Sequence, residues 1–93
     1  MVLLNKIKPY KNIGPGHHIQ EMIELRDWTQ QDLADALGVS AKHVNKLLKD
    51  EQPVTLHMAK LLGEAFDLSP QYWVNLDTNY RLNLEKIQRI QMV

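Results

Sequence analysis

Apolar residues recur three and four positions apart along most of this chain, the spacing that gives a helix one oily stripe. Ile19, Met22 and Ile23 make the first stripe, with Glu21, Glu24 and Arg26 on the opposite side, which predicts a helix from about His17 to Arg26. Leu33, Ala34 and Leu37 make a second stripe, and Val44, Leu47 and Leu48 a third. Ala59, Leu62 and Phe66 make a fourth. The fifth carries Trp73, Leu76 and Tyr80, and either continues through Leu84, Ile87 and Ile90 or breaks near Asn83. No paired strand pattern, repeat or low-complexity run interrupts the series. The expectation is an all-α bundle of about five helices.

Start and stop signals divide these stripes. Thr29 is a good N-cap for the second helix, and Asp32, three residues on, suits the positive end of its dipole. Gly38 follows Leu37, where a left-handed residue stops a helix. Ser40 caps the third helix, Asp50-Glu51-Gln52-Pro53 breaks it, and Thr55 caps the fourth. Ser69-Pro70 is a cap followed by proline at the first helical position. Residues 1–16 hold two prolines and two glycines and end in Gly14-Pro15-Gly16. They read as an irregular arm, with a short extended piece at Val2–Ile7. The domain expectation is an arm at 1–16, a helical domain at 17–82 and a helical extension at 83–93.

The most informative stretch is 29–49, two short helices joined by the corner Gly38-Val39-Ser40. That is the layout of a helix-turn-helix, whose second helix enters the DNA major groove. On a wheel of about 100° per residue, Val44, Leu47 and Leu48 fall on one side of the second helix. Lys42, Asn45, Lys46 and Lys49 fall on the other, with Ala41 and His43 between them. The whole chain has 11 Lys and Arg against 11 Asp and Glu, so bulk charge cannot draw it to a polyanion. Its positive charge would have to be gathered locally, and this helix gathers three lysines with no carboxylate before Asp50. Taken alone, such a face is often only solvated surface; the corner and the flanking helices favour a groove reader. Lysine can donate to guanine O6 and N7, asparagine can pair with adenine, and Ala41 could touch a thymine methyl. Gln30, opening the preceding helix, could meet a phosphate.

Other chemistry finds little support. There is no cysteine, which excludes disulfides and thiolate sites and fits the cytoplasm. No apolar run approaches the roughly twenty residues that span a bilayer. His17 and His18 are neighbours that point about 100° apart on a helix, while His43 and His57 stand on other helices. No His-x-x-x-His pattern, nucleophile elbow or phosphate-cradling loop occurs, so no metal, cofactor or enzymatic activity is expected. Trp73, Tyr72 and Tyr80 read as core and interface packing. Leu76, Leu84, Ile87 and Ile90 exceed what one small core can cover, which favours a symmetric homodimer.

Gln30-Gln-Asp-Leu-Ala-Asp-Ala-Leu-Gly-Val-Ser40 resembles the phage-repressor (Cro-like, XRE) helix-turn-helix pattern. Pro15-Gly16 before the first helix is similar to the Pro-Gly start of HigA-type antitoxins. Ser69-Pro70-Gln71-Tyr72-Trp73-Val74-Asn75-Leu76, then Asn79-Tyr80-Arg81-Leu82, resembles the segment that closes that family's domain. The likeness covers about residues 15–82. It implies a five-helix lambda-repressor-like fold with an extended C-terminal helix. It also implies a dimeric repressor of its own operon that neutralises a small basic RNA-cleaving toxin of the RelE-like fold. The family's base-reading positions fall on Ser40, Ala41, Lys42, His43, Asn45 and Lys46, and Lys49 falls where backbone contacts are usual. His17 and Asp50 depart from the family's frequent glutamate and glycine. The 1–16 arm and the acidic outside of the first two helices (Glu21, Glu24, Asp27, Asp35) are the candidate toxin surfaces. Two other readings remain open on the sequence: a phage- or plasmid-type repressor without a toxin, and a protein-interaction module that has lost DNA binding.

Overall fold

In the computed structural model, residues 12–92 are described, with side chains through residue 88; the expected extended piece at Val2–Ile7 lies outside them. Five helices follow in order: α1 (Pro15–Leu25), α2 (Gln30–Leu37), α3 (Ala41–Leu48), α4 (Leu56–Phe66) and α5 (Pro70–Met92). There is no strand among the described residues. Helices α2 and α3 pack against each other at the corner, α1 lies across α3, and α5 packs on α4 and α1. The molecule measures 44 × 25 × 24 Å. Its 23-residue last helix, about 34 Å long at 1.5 Å per residue, accounts for the long axis. That helix runs unbroken past Asn83.

The core is the set of stripes read from the sequence, closed by aromatic rings. Ile19, Ile23, Leu33, Ala34, Leu37, Val44, Leu47, Ala59, Leu62, Phe66 and Trp73 are all buried. Trp73 sits at the centre, with ring centroids 5.8 Å from Phe66 and 5.2 Å from Tyr72, and Phe66 lies 5.8 Å from Trp28. Offset and edge-on ring pairs at these separations add to plain area burial. Tyr80, Leu84 and Ile87, farther along α5, are half-buried, and the side chain of Ile90 lies outside the described set.

The caps stand where the sequence places them. Thr29 Oγ1 accepts from Asp32 N at 3.0 Å while Thr29 N donates to Asp32 Oδ2 at 2.8 Å, a reciprocal capping box. Ser40, Thr55 and Ser69 cap α3, α4 and α5 in turn.

The helix ends share one device. Asp27, Gly38, Asp50 and Asp67 all have left-handed backbone, with φ of 56°, 72°, 57° and 57°. The following residue in each case donates its N–H five positions back: Trp28 to Ile23 O, Val39 to Ala34 O, Glu51 to Lys46 O and Leu68 to Gly63 O. This is a Schellman ending, and Trp28, Val39 and Leu68 fold down onto the core to complete it. Only Gly38 carried the usual residue for that geometry.

One boundary differs from the sequence reading. Gly14, Pro15 and Gly16, taken as the end of an irregular arm, are buried, and the last two begin α1. Pro15 has its φ preset for the first helical position, where its missing N–H costs nothing. Gly16 is required by proximity: a Cβ there would lie 2.3 Å from Leu48 O at the end of α3. Replacing Gly16 with alanine should therefore destabilise the protein by about 1–3 kcal/mol, read as a lower urea midpoint at unchanged m-value. Asp67→Gly should do the reverse, because the exposed Asp67 side chain makes no hydrogen bond or ion pair among the described residues and glycine accepts positive φ freely. A gain of about 0.5–1 kcal/mol in the same titration is expected.

Candidate nucleic-acid interface

Two fully buried side chains hold α3 down. Val44 is 0 % exposed and Leu47 is 2 % exposed, one turn apart on the inner side. Their burial turns the other side outward. Lys42 and Lys49 are exposed, Lys46 and Asn45 half-exposed, and Ala41 and Ser40 exposed at the start of the helix. His43 is half-buried at the edge, as its wheel position requires.

The structure brings Gln30 to this face. Asn45 Nδ2 donates to Gln30 Oε1 at 3.4 Å, linking the first residue of α2 to the middle of α3. Both side chains keep further polar atoms free for a ligand. Ser40 has a structural duty as well, since its Oγ accepts from His43 N at 3.1 Å. Its hydroxyl proton remains available to donate. The nearby acids are engaged elsewhere: Asp32 in the capping box and Asp35 with Gln31 Nε2 at 2.9 Å.

At the far end of α3 the structure shows what the sequence did not. Gly14, the N-cap of α1, offers no side chain to the first turn. Asp50 supplies the acceptor from across the fold: Gly16 N donates to Asp50 Oδ1 at 2.8 Å. Burial lifts the Asp50 carboxyl above the usual aspartate range, against the Gly16 N–H and the charges of Arg81 and His17, which favour its ionised form; Asp77 adds to the lift. Asp77 and Arg81 stand on α5 as a charge pair, Nε to Oδ1 at 3.4 Å, without hydrogen-bond alignment. No local signal in the sequence pointed to this distant acceptor.

Among the described residues no three His, Asp or Glu side chains gather as a metal would need, and no helix is long and apolar enough to cross a membrane. His17 and His18 meet edge to face, ring centroids 5.9 Å apart.

Comparison with known proteins places this geometry. Residues 19–73 match the helix-turn-helix family HTH_3. The structure of the Pseudomonas aeruginosa antitoxin HigA, determined with the higBA promoter, superposes with a TM-score of 0.80 at 32 % identity, covering 88 % of this chain and 90 % of that one. The chain belongs to the HigA-type branch of the helix-turn-helix family. The antitoxin GraA is similar to the same degree, with a TM-score of 0.80, 31 % identity and coverage of 86 % and 87 %. The Mycobacterium tuberculosis HTH-type transcriptional regulator PrpR is 37 % identical over 75 residues, 81 % of this chain. The chain spans only 15 % of that regulator's length. An all-α fold of the HigA type, expected from the sequence, is thus the observed one, with five helices among the described residues.

Loss of the α3 cap tests the local physics of the interface. Ser40→Ala should cost about 0.5–2 kcal/mol in a urea titration, with the helix content of the folded protein unchanged.

Proposed function

We infer that this chain is a sequence-specific DNA-binding antitoxin that represses its own operon and neutralises a small basic RNA-cleaving toxin of the RelE-like fold. The observation that carries the DNA-binding part is the outward lysine face of α3, set on two buried residues in a chain of +0 net charge. Locally gathered charge of this kind supports groove entry without general stickiness to polyanions. In this reading Lys42, Lys46, Asn45, His43, Ala41 and Ser40 meet base edges, while Gln30 and Lys49 meet phosphates.

Two copies would place their α3 faces in successive major grooves, about 34 Å apart. The half-buried Leu84 and Ile87 and the exposed Leu82 on the protruding part of α5 support a homodimer. The likeness to HigA and GraA, both called antitoxins, supports the toxin partner. The acidic outside of α1 and α2 is its proposed docking face. On its α1 part an open groove of ≈ 510 Å³ is lined by His18, Glu21, Met22, Glu24 and Leu25 with Tyr72 of α5, and Leu25 is 83 % exposed. Acid around an apolar patch suits a basic partner. The protein acts in the cytoplasm, where operator and toxin both lie, and carries out no catalysis of its own.

A double variant separates the two activities. Lys42→Ala with Lys46→Ala should weaken binding to the protein's own promoter by about 100-fold, each base contact being worth roughly 1–3 kcal/mol. Rescue of cells from the toxin encoded beside it should be unchanged. Undiminished promoter binding, or loss of both activities in a variant with normal thermal melting, would contradict the assignment.

A further inference from the structure

The short helix α3 is seated by the buried Val44 and Leu47, with the half-buried Leu48 packed beside them. Its tilt depends on how the rest of the helix is held. The Ser40 cap closes the N-terminal turn, and the Gln30–Asn45 bond ties the middle of the helix to α2. The C-terminal end is held elsewhere. There the first turn of α1 is pressed against the last carbonyls of α3, so closely that a Cβ on Gly16 would lie 2.3 Å from Leu48 O and 2.8 Å from Leu47 O. Asp50 reaches back from just beyond α3 and accepts from Gly16 N. Its carboxylate also fills the space beside Gly14, where a Cβ would come within 2.6 Å of Oδ2. A negative group at the start of α1 is held by both the hydrogen bond and the helix dipole.

We propose that Asp50 is a positioning residue of the DNA interface: by capping α1 from the end of α3, it sets the angle at which the Lys42–Lys49 face meets the groove. The proposal rests on the DNA-binding reading above. Leverage makes the angle matter. Eight residues span about 12 Å, so a tilt of roughly 10° moves the far end by about 2 Å, enough to break a hydrogen bond to a base edge. Three aspartates end helices with the same left-handed backbone, yet among Asp27, Asp50 and Asp67 only Asp50 accepts a hydrogen bond from another helix within the described set. Backbone geometry alone therefore does not account for it. Behind it stand Arg81 and Asp77 of α5 and His17 of α1, so three helices meet at this carboxylate.

The test compares Asp50→Ala, Asp50→Gly and Asp50→Asn with Asp67→Gly as a control. Each is titrated against a duplex of the promoter preceding the protein's own gene, and against a duplex of scrambled sequence. All are measured at a temperature where circular dichroism shows each variant fully folded. Alanine, glycine and asparagine all remove the same negative charge, but only asparagine keeps an acceptor for Gly16 N. Glycine also relieves the left-handed backbone, so its effect cannot be blamed on added strain. Asp50→Ala and Asp50→Gly should lose about tenfold in promoter affinity with less than about twofold loss on scrambled DNA. Asp50→Asn and Asp67→Gly should stay within about twofold of the parent on both. Parent-like promoter preference in the alanine and glycine variants overturns the proposal, as does an equal loss on both duplexes or a failure of asparagine to restore the preference. If the parent protein itself does not prefer its promoter, the DNA-binding reading fails first and this proposal with it.

Discussion

The contact on which the rest of the molecule depends is the seating of one eight-residue helix through Val44 and Leu47. Those side chains are worth about 1.5–3 kcal/mol each in area removed from water, and their burial decides which side of α3 faces out. Isolated, a helix this short would not hold together in water. It persists because α2 and α1 supply the surface it lies on, and α4 and α5 supply the surface beneath those. The aromatic cluster of Trp28, Phe66, Tyr72 and Trp73 is the far side of the same support, several side chains removed from the lysines it keeps in place.

Function follows from what that seating leaves exposed. The chain has equal numbers of basic and acidic residues, so its affinity for DNA cannot come from total charge. Three lysines on one flank of α3 make a local field, and the remaining charges are spread or paired elsewhere. The groove bordered by the acidic residues of α1 and by Tyr72 shares no lining residue with α3. Helix α1 takes part in both regions. Its first turn is wedged against the end of α3 at Gly16, and its outer side carries Glu21 and Glu24.

Most of the fold is legible in the sequence because its signals are local. Thr29, Ser40, Thr55 and Ser69 each accept from a backbone N–H three residues on, which a reader can anticipate from residue type and position. Gly38 announces its left-handed turn. The aspartates at 27, 50 and 67 adopt that turn without announcing it, since aspartate only tolerates the conformation and is common in many others. What escaped the sequence altogether was long-range. Gly16 is small because Leu48, 32 residues later, comes within reach of its Cα, and Asp50 matters because α1 lacks a cap of its own. Nothing in residues 14–16 alone distinguishes a buried helix start from the end of an arm. For the candidate interface, the wheel anticipated that Lys42 and Lys49 are exposed and Asn45 and Lys46 half-exposed, but it could not show that Gln30 touches Asn45.

Amide chemical-shift mapping tests whether α3 enters DNA by its lysine flank while its apolar flank stays seated. The protein is titrated with its own promoter duplex. Shifts should concentrate on Gln30 and residues 40–49, with Ile19, Ile23 and the outer side of α1 unmoved. Shifts confined to α1 and α5, with Lys42, Asn45 and Lys46 unchanged at saturation, would contradict the account.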